Sequence, residues 1–296
     1  MRSEVAAALP AWRLRSYAGW YLTLLVPATI WLVVWVVIPI STLFVYSFYR
    51  VRGGAIVAEP SLDNYRSLFD SPVYFPVLFR TLRLGLLTAL TCVLLAYPGA
   101  YYIARYASPR GRTLAYFLVV LPLLTSYVVR IYAWRLILGH EGLVNAGLES
   151  LGVIHQPLRL FLFSSSAVFI ALVGALLPFA ALPILNSLEK IPPVLFEASS
   201  DLGASEARTF WKVVFPLSLP GVAAGASFVF VIATGDFIAS QFLGGASGIL
   251  IGKVIYSTFG LAFNWPLGAA MSFGLFAISA AIVLASGRMS EAPSGS

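Results

Sequence analysis

Apolar residues occur along this chain in long blocks, without the period-two alternation of a half-buried strand. A helix needs about 20 mostly apolar residues to cross the hydrocarbon of a bilayer. Six runs reach that length, over residues 17–46, 82–104, 112–138, 162–188, 213–239 and 266–287. The pattern predicts an all-α polytopic membrane protein with six transmembrane helices. It divides into a tail over 1–16, a membrane domain over 17–288 and a second tail over 289–296. The first run is too long for the apolar core of a secretory signal, about 7–15 residues, so it is expected to stay as a span.

The connectors orient the spans. Arg105, Arg110 and Arg112 crowd the short link between the second and third runs, and Arg2, Arg13 and Arg15 precede the first. Basic residues in short connectors favour the cytoplasm, so both termini are expected inside. On the opposite side, Leu62, Tyr65, Leu68 and Phe69 fall at helical spacing within connector 47–79. They predict a short amphipathic helix on the membrane surface or against a partner, interrupted afterwards by Pro72 and Pro76. The stretch GHEGLVNAGLESLG in connector 139–161 predicts another small interfacial helix. Pro98, Pro178 and Pro183 fall inside spans, where they predict kinks.

Composition agrees with lipid: 59% of residues are hydrophobic and 10% charged, with a net charge of +7. The arginines are scattered between apolar runs, which argues against nucleic acid as a partner and for contact with membrane lipid. Cys92 is the only cysteine, so no intrachain disulfide forms. His140 and His155 lack a helical i, i+4 partner, and neither a metal nor a cofactor is expected.

One polar stretch stands apart. Between the fourth and fifth runs lies EASSDLGASEARTFWKVVFP, beginning at Glu197. Pro192 and Pro193 suit a helix start, and Val194, Leu195, Ala198 and Leu202 make an apolar stripe with Glu197, Ser200 and Asp201 turned elsewhere. Gly203 is placed to end that helix in a left-handed conformation, and Ser205 to cap the next. Phe210, Trp211, Val214 and Phe215 then lead back to the membrane, with Pro216 marking a break. The result is a helix, a glycine elbow and a second helix. Such a knob either rests on headgroups or docks into a groove on a soluble partner, and acidic Glu197, Asp201 and Glu206 suit anionic lipid poorly.

This segment resembles the signature cytoplasmic loop of ABC importer permeases: Glu-Ala-Ala, three residues, Gly, spaced apolar positions and a Leu-Pro ending. Here Glu197, Ala198 and Ser199 take the opening triplet, Gly203 the glycine, and Phe215 with Pro216 the ending; Ser199 and Phe215 depart from the pattern. The stretches LPLLTSYVVRIYAWRLILGHEGLVN, GDFIASQFLGG and NWPLGAAMSFGL, with LAYPGAYYIA in the second run, look like the spermidine/putrescine branch of these permeases.

The resemblance implies the type I (MetI-like) permease fold, with a coupling helix between helices 4 and 5 in a loop over about 189–216. It implies a bacterial inner-membrane location and three partners: an ATP-binding subunit present as a homodimer, a second homologous permease and an extracytoplasmic substrate-binding protein. It also implies that Glu197, Ala198, Asp201, Leu202 and Gly203 couple to the ATPase. No Gly-x-x-x-x-Gly-Lys-Ser/Thr loop is present, since Gly252-Lys253 lacks both the spacing and the hydroxyl, so this chain is expected to be a transport subunit and not an enzyme.

For the solute pathway, Asp236 is the acidic residue embedded in the later apolar runs. It either meets a cationic amine, lies hydrated at the outer mouth, or pairs with Arg130 or Arg135. Tyr97, Tyr101, Tyr127, Trp134 and Phe237 are the aromatic candidates for a cation-binding face. Arg50, Arg52, Arg66 and Lys253 on outer segments fit a polycation awkwardly. An amino-acid derivative, an opine or an organophosphonate is therefore the alternative solute, and an ion-coupled secondary carrier the alternative class.

Overall fold

The computed structural model describes residues 25–156 and 163–291. Among the described residues five helices are long and apolar enough to cross a membrane, and two helices meeting at 92° are together long and apolar enough for a sixth. Within the first run, α1 covers Leu25–Tyr46, with a π-helical turn over Val33–Val37. Its predicted beginning at 17–24 lies outside the described residues. A hairpin follows, which the all-α expectation missed: β1 (Arg50–Arg52) pairs antiparallel with β2 (Ala55–Val57). Gly53 and Gly54 both take positive φ, as a two-residue turn between right-twisted strands requires.

The predicted amphipathic helix is α2 (Asp63–Asp70). It docks within its own chain, for Leu68 is fully buried and fills the space left by Gly274. Arg50 pairs with Asp63, which ties the hairpin to the start of α2, and Arg52 pairs at 3.0 Å with Glu59 in the connector between them. A hydrogen bond from Ser61 and the neighbouring Arg50 guanidinium hold the Asp63 carboxyl below its ordinary range.

The second run becomes α3 (Tyr74–Tyr106), which begins well before residue 82. Arg80 and Arg83 lower the local hydropathy and hid that start. Pro76 does not interrupt the chain; it lies in the first turn of α3, where a missing N–H costs little. The third run is two helices, α4 (Pro109–Leu124, ending in a 3-10 turn) and α5 (Tyr127–Ile137), with the break at Thr125 and Ser126. The predicted interfacial helix is α6 (Leu143–Ser150), where buried Asn145 donates to the carbonyls of Gly139 and His140.

The fourth run forms α7 (Ser165–Glu189), capped by Ser164, whose hydroxyl accepts from the Ala167 amide. Its start falls after residue 162 because Phe163, at φ 56°, is outside helical geometry. The connector after α7 carries α8 (Pro193–Asp201). It is followed by α9 (Glu206–Gly235), α10 (Ile238–Leu243), α11 (Ile251–Gly260) and α12 (Trp265–Glu291). The fifth run therefore ends at Gly235, with Asp236 turning the chain into α10.

The core is the junction of α3, α7 and α9. Ala96 and Ala100 on α3 and Ala167, Ala171 and Ala175 on α7 recur at spacings of four and are buried. Small residues at that spacing let helices approach closely, the usual source of packing energy within lipid. Contact is close at Gly221 and Gly225 of α9, where an added Cβ would lie 2.6 Å from the Pro183 and 2.9 Å from the Ala180 carbonyl oxygen.

Candidate coupling and solute-pathway sites

In the loop between α7 and α9, Pro192 precedes α8 and Pro193 occupies its first turn. Gly203, at φ 71°, ends the helix as the spacing predicts, and its amide donates to the Ser200 carbonyl at 2.9 Å. An added Cβ there would meet no neighbour, so the requirement for glycine is conformational and not steric. Ser205 caps the return limb by accepting from the Arg208 amide. The two limbs are joined by the buried hydroxyls of Ser199 and Thr209, 2.6 Å apart.

The facing of α8 is set by what the rest of the fold covers. The side turned into the protein carries Phe196 and Ser199. The predicted stripe points outward: Val194 is 60% and Leu202 87% exposed, and Ala198, Glu197 and Asp201 are exposed with them. Periodicity marks such a face without saying what covers it.

Asp236, at the turn between α9 and α10, is only 7% exposed, so its side chain is not open to bulk water. Among the described residues no arginine forms an ion pair with it. Tyr127 donates its hydroxyl to one carboxylate oxygen at 2.5 Å, and the Ala239 amide donates to the other at 2.7 Å. Asp236 thereby caps α10 and links the end of α9 to the start of α5. Beside it, the rings of Phe237 and Tyr256 stack at 4.9 Å, an aromatic partner the sequence reading missed.

Arg130 is occupied elsewhere. Its guanidinium donates to the carbonyls of Pro122 and Thr125, at the break of the third span, and of Ala175 on α7 at 2.9 Å. Arg135 lies over the rings of Tyr132 and Phe163.

The aromatic candidates separate into groups. Tyr127 and Phe237 stand with Asp236. The Trp134 indole rests on Gly174, in the space a Cβ would take, and packs α5 against α7. Tyr97 and Tyr101 are not brought to Asp236 at all. Tyr97 hydrogen-bonds Ser218 at 2.8 Å, and both rings meet Phe210 of the coupling loop. Ser218 precedes Asp236 by 18 residues, about 27 Å along α9 at the helical rise. The departure Ser199, the brace Arg130 and the ring Phe210 carried no one-dimensional signal of these contacts.

Residues 96–289 match the family model described as the binding-protein-dependent transport system inner membrane component. The chain is 39% identical over 262 residues to the spermidine/putrescine transport system permease protein PotB of Escherichia coli (strain K12), covering 88% of this chain and 94% of that protein. To the protein of the same name from Haemophilus influenzae it is 38% identical over 254 residues, covering 86% and 88%. A putative 2-aminoethylphosphonate transport system permease protein, PhnU, from Salmonella paratyphi A is 27% identical over 276 residues, covering 91% and 92%. A bacterial ABC transporter importing the acidic polysaccharide alginate shares the fold at a TM-score of 0.74 and 20% identity, covering 96% of this chain and 99% of that one.

Proposed function

This chain belongs to the binding-protein-dependent inner-membrane transport components, the permease subunits of ABC importers, and from that premise we propose that it is a permease of an ATP-driven polyamine importer. It is a multi-pass inner-membrane transport subunit and not an enzyme. In this reading it forms half of the solute pathway, beside a second homologous permease. An ATP-binding homodimer engages it from the cytoplasm, where both termini lie, and a substrate-binding protein delivers solute from outside.

The observation that carries the coupling role is the outward apolar face of α8. Val194 and Leu202 stay largely uncovered by the described residues, with Leu195 partly exposed beside them, while Gly203 and the Ser199–Thr209 hydrogen bond hold the elbow in one shape. A soluble groove would cover that face, and Glu197 and Asp201 beside it supply charge for orientation. Closure of the nucleotide-binding pair would displace α8. Because the elbow is stiff, the displacement passes into α9 and changes which side the central pathway opens to.

Two features favour a polyamine. The relatives named for spermidine and putrescine are 38–39% identical, against 27% for the phosphonate relative. Arg50 and Arg52, which would repel a polycation, are paired with Asp63 and Glu59. Asp236, with Tyr127 and the Phe237–Tyr256 stack, is the group we assign to the amine. A carboxylate at membrane depth beside aromatic faces suits an ammonium ion.

Glu197→Arg or Gly203→Val is expected to leave the protein inserted but to abolish ATP-driven uptake in the reconstituted complex. Uptake at the normal rate would sink the coupling assignment. Titrating the cognate binding protein with amines, amino acids and phosphonates tests the solute, and selective binding of a phosphonate would refute the polyamine reading.

A further inference from the structure

The loop is held by more than the helices that enter it. Phe210 opens a π-helical turn, Phe210–Val214, at the point where the elbow passes into the membrane. A wide turn of this kind re-aims the side chains around it and is frequent at functional sites. Here it brings Phe210 against α3, the second span. The Tyr101 ring meets Phe210 edge-to-face at 5.4 Å and Tyr97 meets it at 5.8 Å and 90°. Tyr97 also lies 6.0 Å from the ring of Phe215 and bonds Ser218. Perpendicular rings place a positive edge against a negative face, so the geometry is attractive as well as close-packed. One turn beyond Tyr101, the Arg105 guanidinium sits 4.0 Å above the ring of Phe196, on the inward face of α8.

These contacts grip both limbs of the elbow from one side. Phe196 belongs to the limb before Gly203, and Phe210 and Phe215 to the limb after it. Their partners outside the loop, Tyr97, Tyr101 and Arg105, come from the same end of α3.

We infer that Tyr97, Tyr101 and Arg105 form a clasp that makes α3 move as one body with the coupling loop, so that ATP-driven displacement reaches the second span directly. The clasp rests on the coupling role proposed above. It assigns Tyr97 and Tyr101 to transmission instead of solute contact. They are positioning residues, acting through the loop they hold.

Spin labels test this in the reconstituted complex. One pair, at Tyr102→Cys and Ala207→Cys, spans the clasp. A second, at Ala207→Cys and Leu261→Cys, reports movement of the loop against the far side of the protein. The expected result is that ATP shifts the second distance and leaves the first unchanged. If ATP shifts both, the clasp is refuted while the coupling role stands. If it shifts neither, no motion is transmitted and both fail.

Function supplies a second readout. Tyr101→Leu and Phe210→Leu are expected to lower solute carried per ATP hydrolysed at least fivefold with ATP hydrolysis continuing, and Tyr101→Phe to restore it. Normal stoichiometry in the leucine variants would overturn the clasp. Should those variants fail to insert, the label distances with the clasp intact decide the matter alone.

Discussion

At Ser199 a hydroxyl stands where the family pattern has alanine, and it meets Thr209 in a buried hydrogen bond across the elbow. Ser199→Ala strands the Thr209 hydroxyl and is expected to destabilise the elbow by about 1 kcal/mol. Adding Thr209→Val removes the stranded group and should recover most of that loss, as read by thermal unfolding of the purified complex. Asp236 permits a similar separation of charge from geometry. In Asp236→Asn the side-chain oxygen can still accept from the Ala239 amide, so α10 keeps its cap, while the negative charge is gone. Uptake of a cationic solute should then show an apparent affinity weaker by about tenfold, equivalent to about 1.4 kcal/mol. Unchanged affinity would leave Asp236 only its capping role.

The third crossing shows what single elements need. An apolar segment bent by 92° leaves carbonyls without helical partners, and these must be satisfied from within the protein. Arg130 meets that need, donating to Pro122 and Thr125 at the break and to Ala175 across on α7. Its planar fork reaches carbonyls on two elements at once, which a lysine ammonium does not reproduce. Arg130→Lys is expected to cost about 2 kcal/mol, from the loss of charge-assisted hydrogen bonds. Denaturant unfolding in detergent would show it, and an unchanged midpoint would refute the brace.

Across the whole molecule, the close approach of α7 and α9 limits which glycines can be replaced. Gly225→Val drives a side chain into the Ala180 backbone and is expected to cost about 1–3 kcal/mol by overpacking. Gly99 on α3 has open space around its Cβ position. Gly99→Ala should therefore be neutral or slightly stabilising, through the better helix propensity of alanine. Comparing the two unfolding temperatures in detergent checks the packing, and equal effects would contradict it. Partners act at this scale too. No residue in the apolar window of α1 is buried, and Trp35 is 67% exposed, so lipid or another subunit must cover this helix.

The apolar spans and the glycine elbow were legible in one dimension. Each depends on local periodicity or on a backbone conformation that a single residue type dictates. The 33-residue length of α3 was hidden because two arginines near its outer end lower the hydropathy without ending the helix. The break at Thr125 was hidden because an apolar run has the same composition whether straight or bent. The roles of Tyr97, Tyr101, Arg130 and Asp236 were decided by tertiary structure alone. An aromatic or charged group in a span is defined by what faces it, and that neighbour comes from another helix. The sequence determined that this chain lives in a membrane and presents a rigid elbow; packing determined which residues hold that elbow and which stand with Asp236.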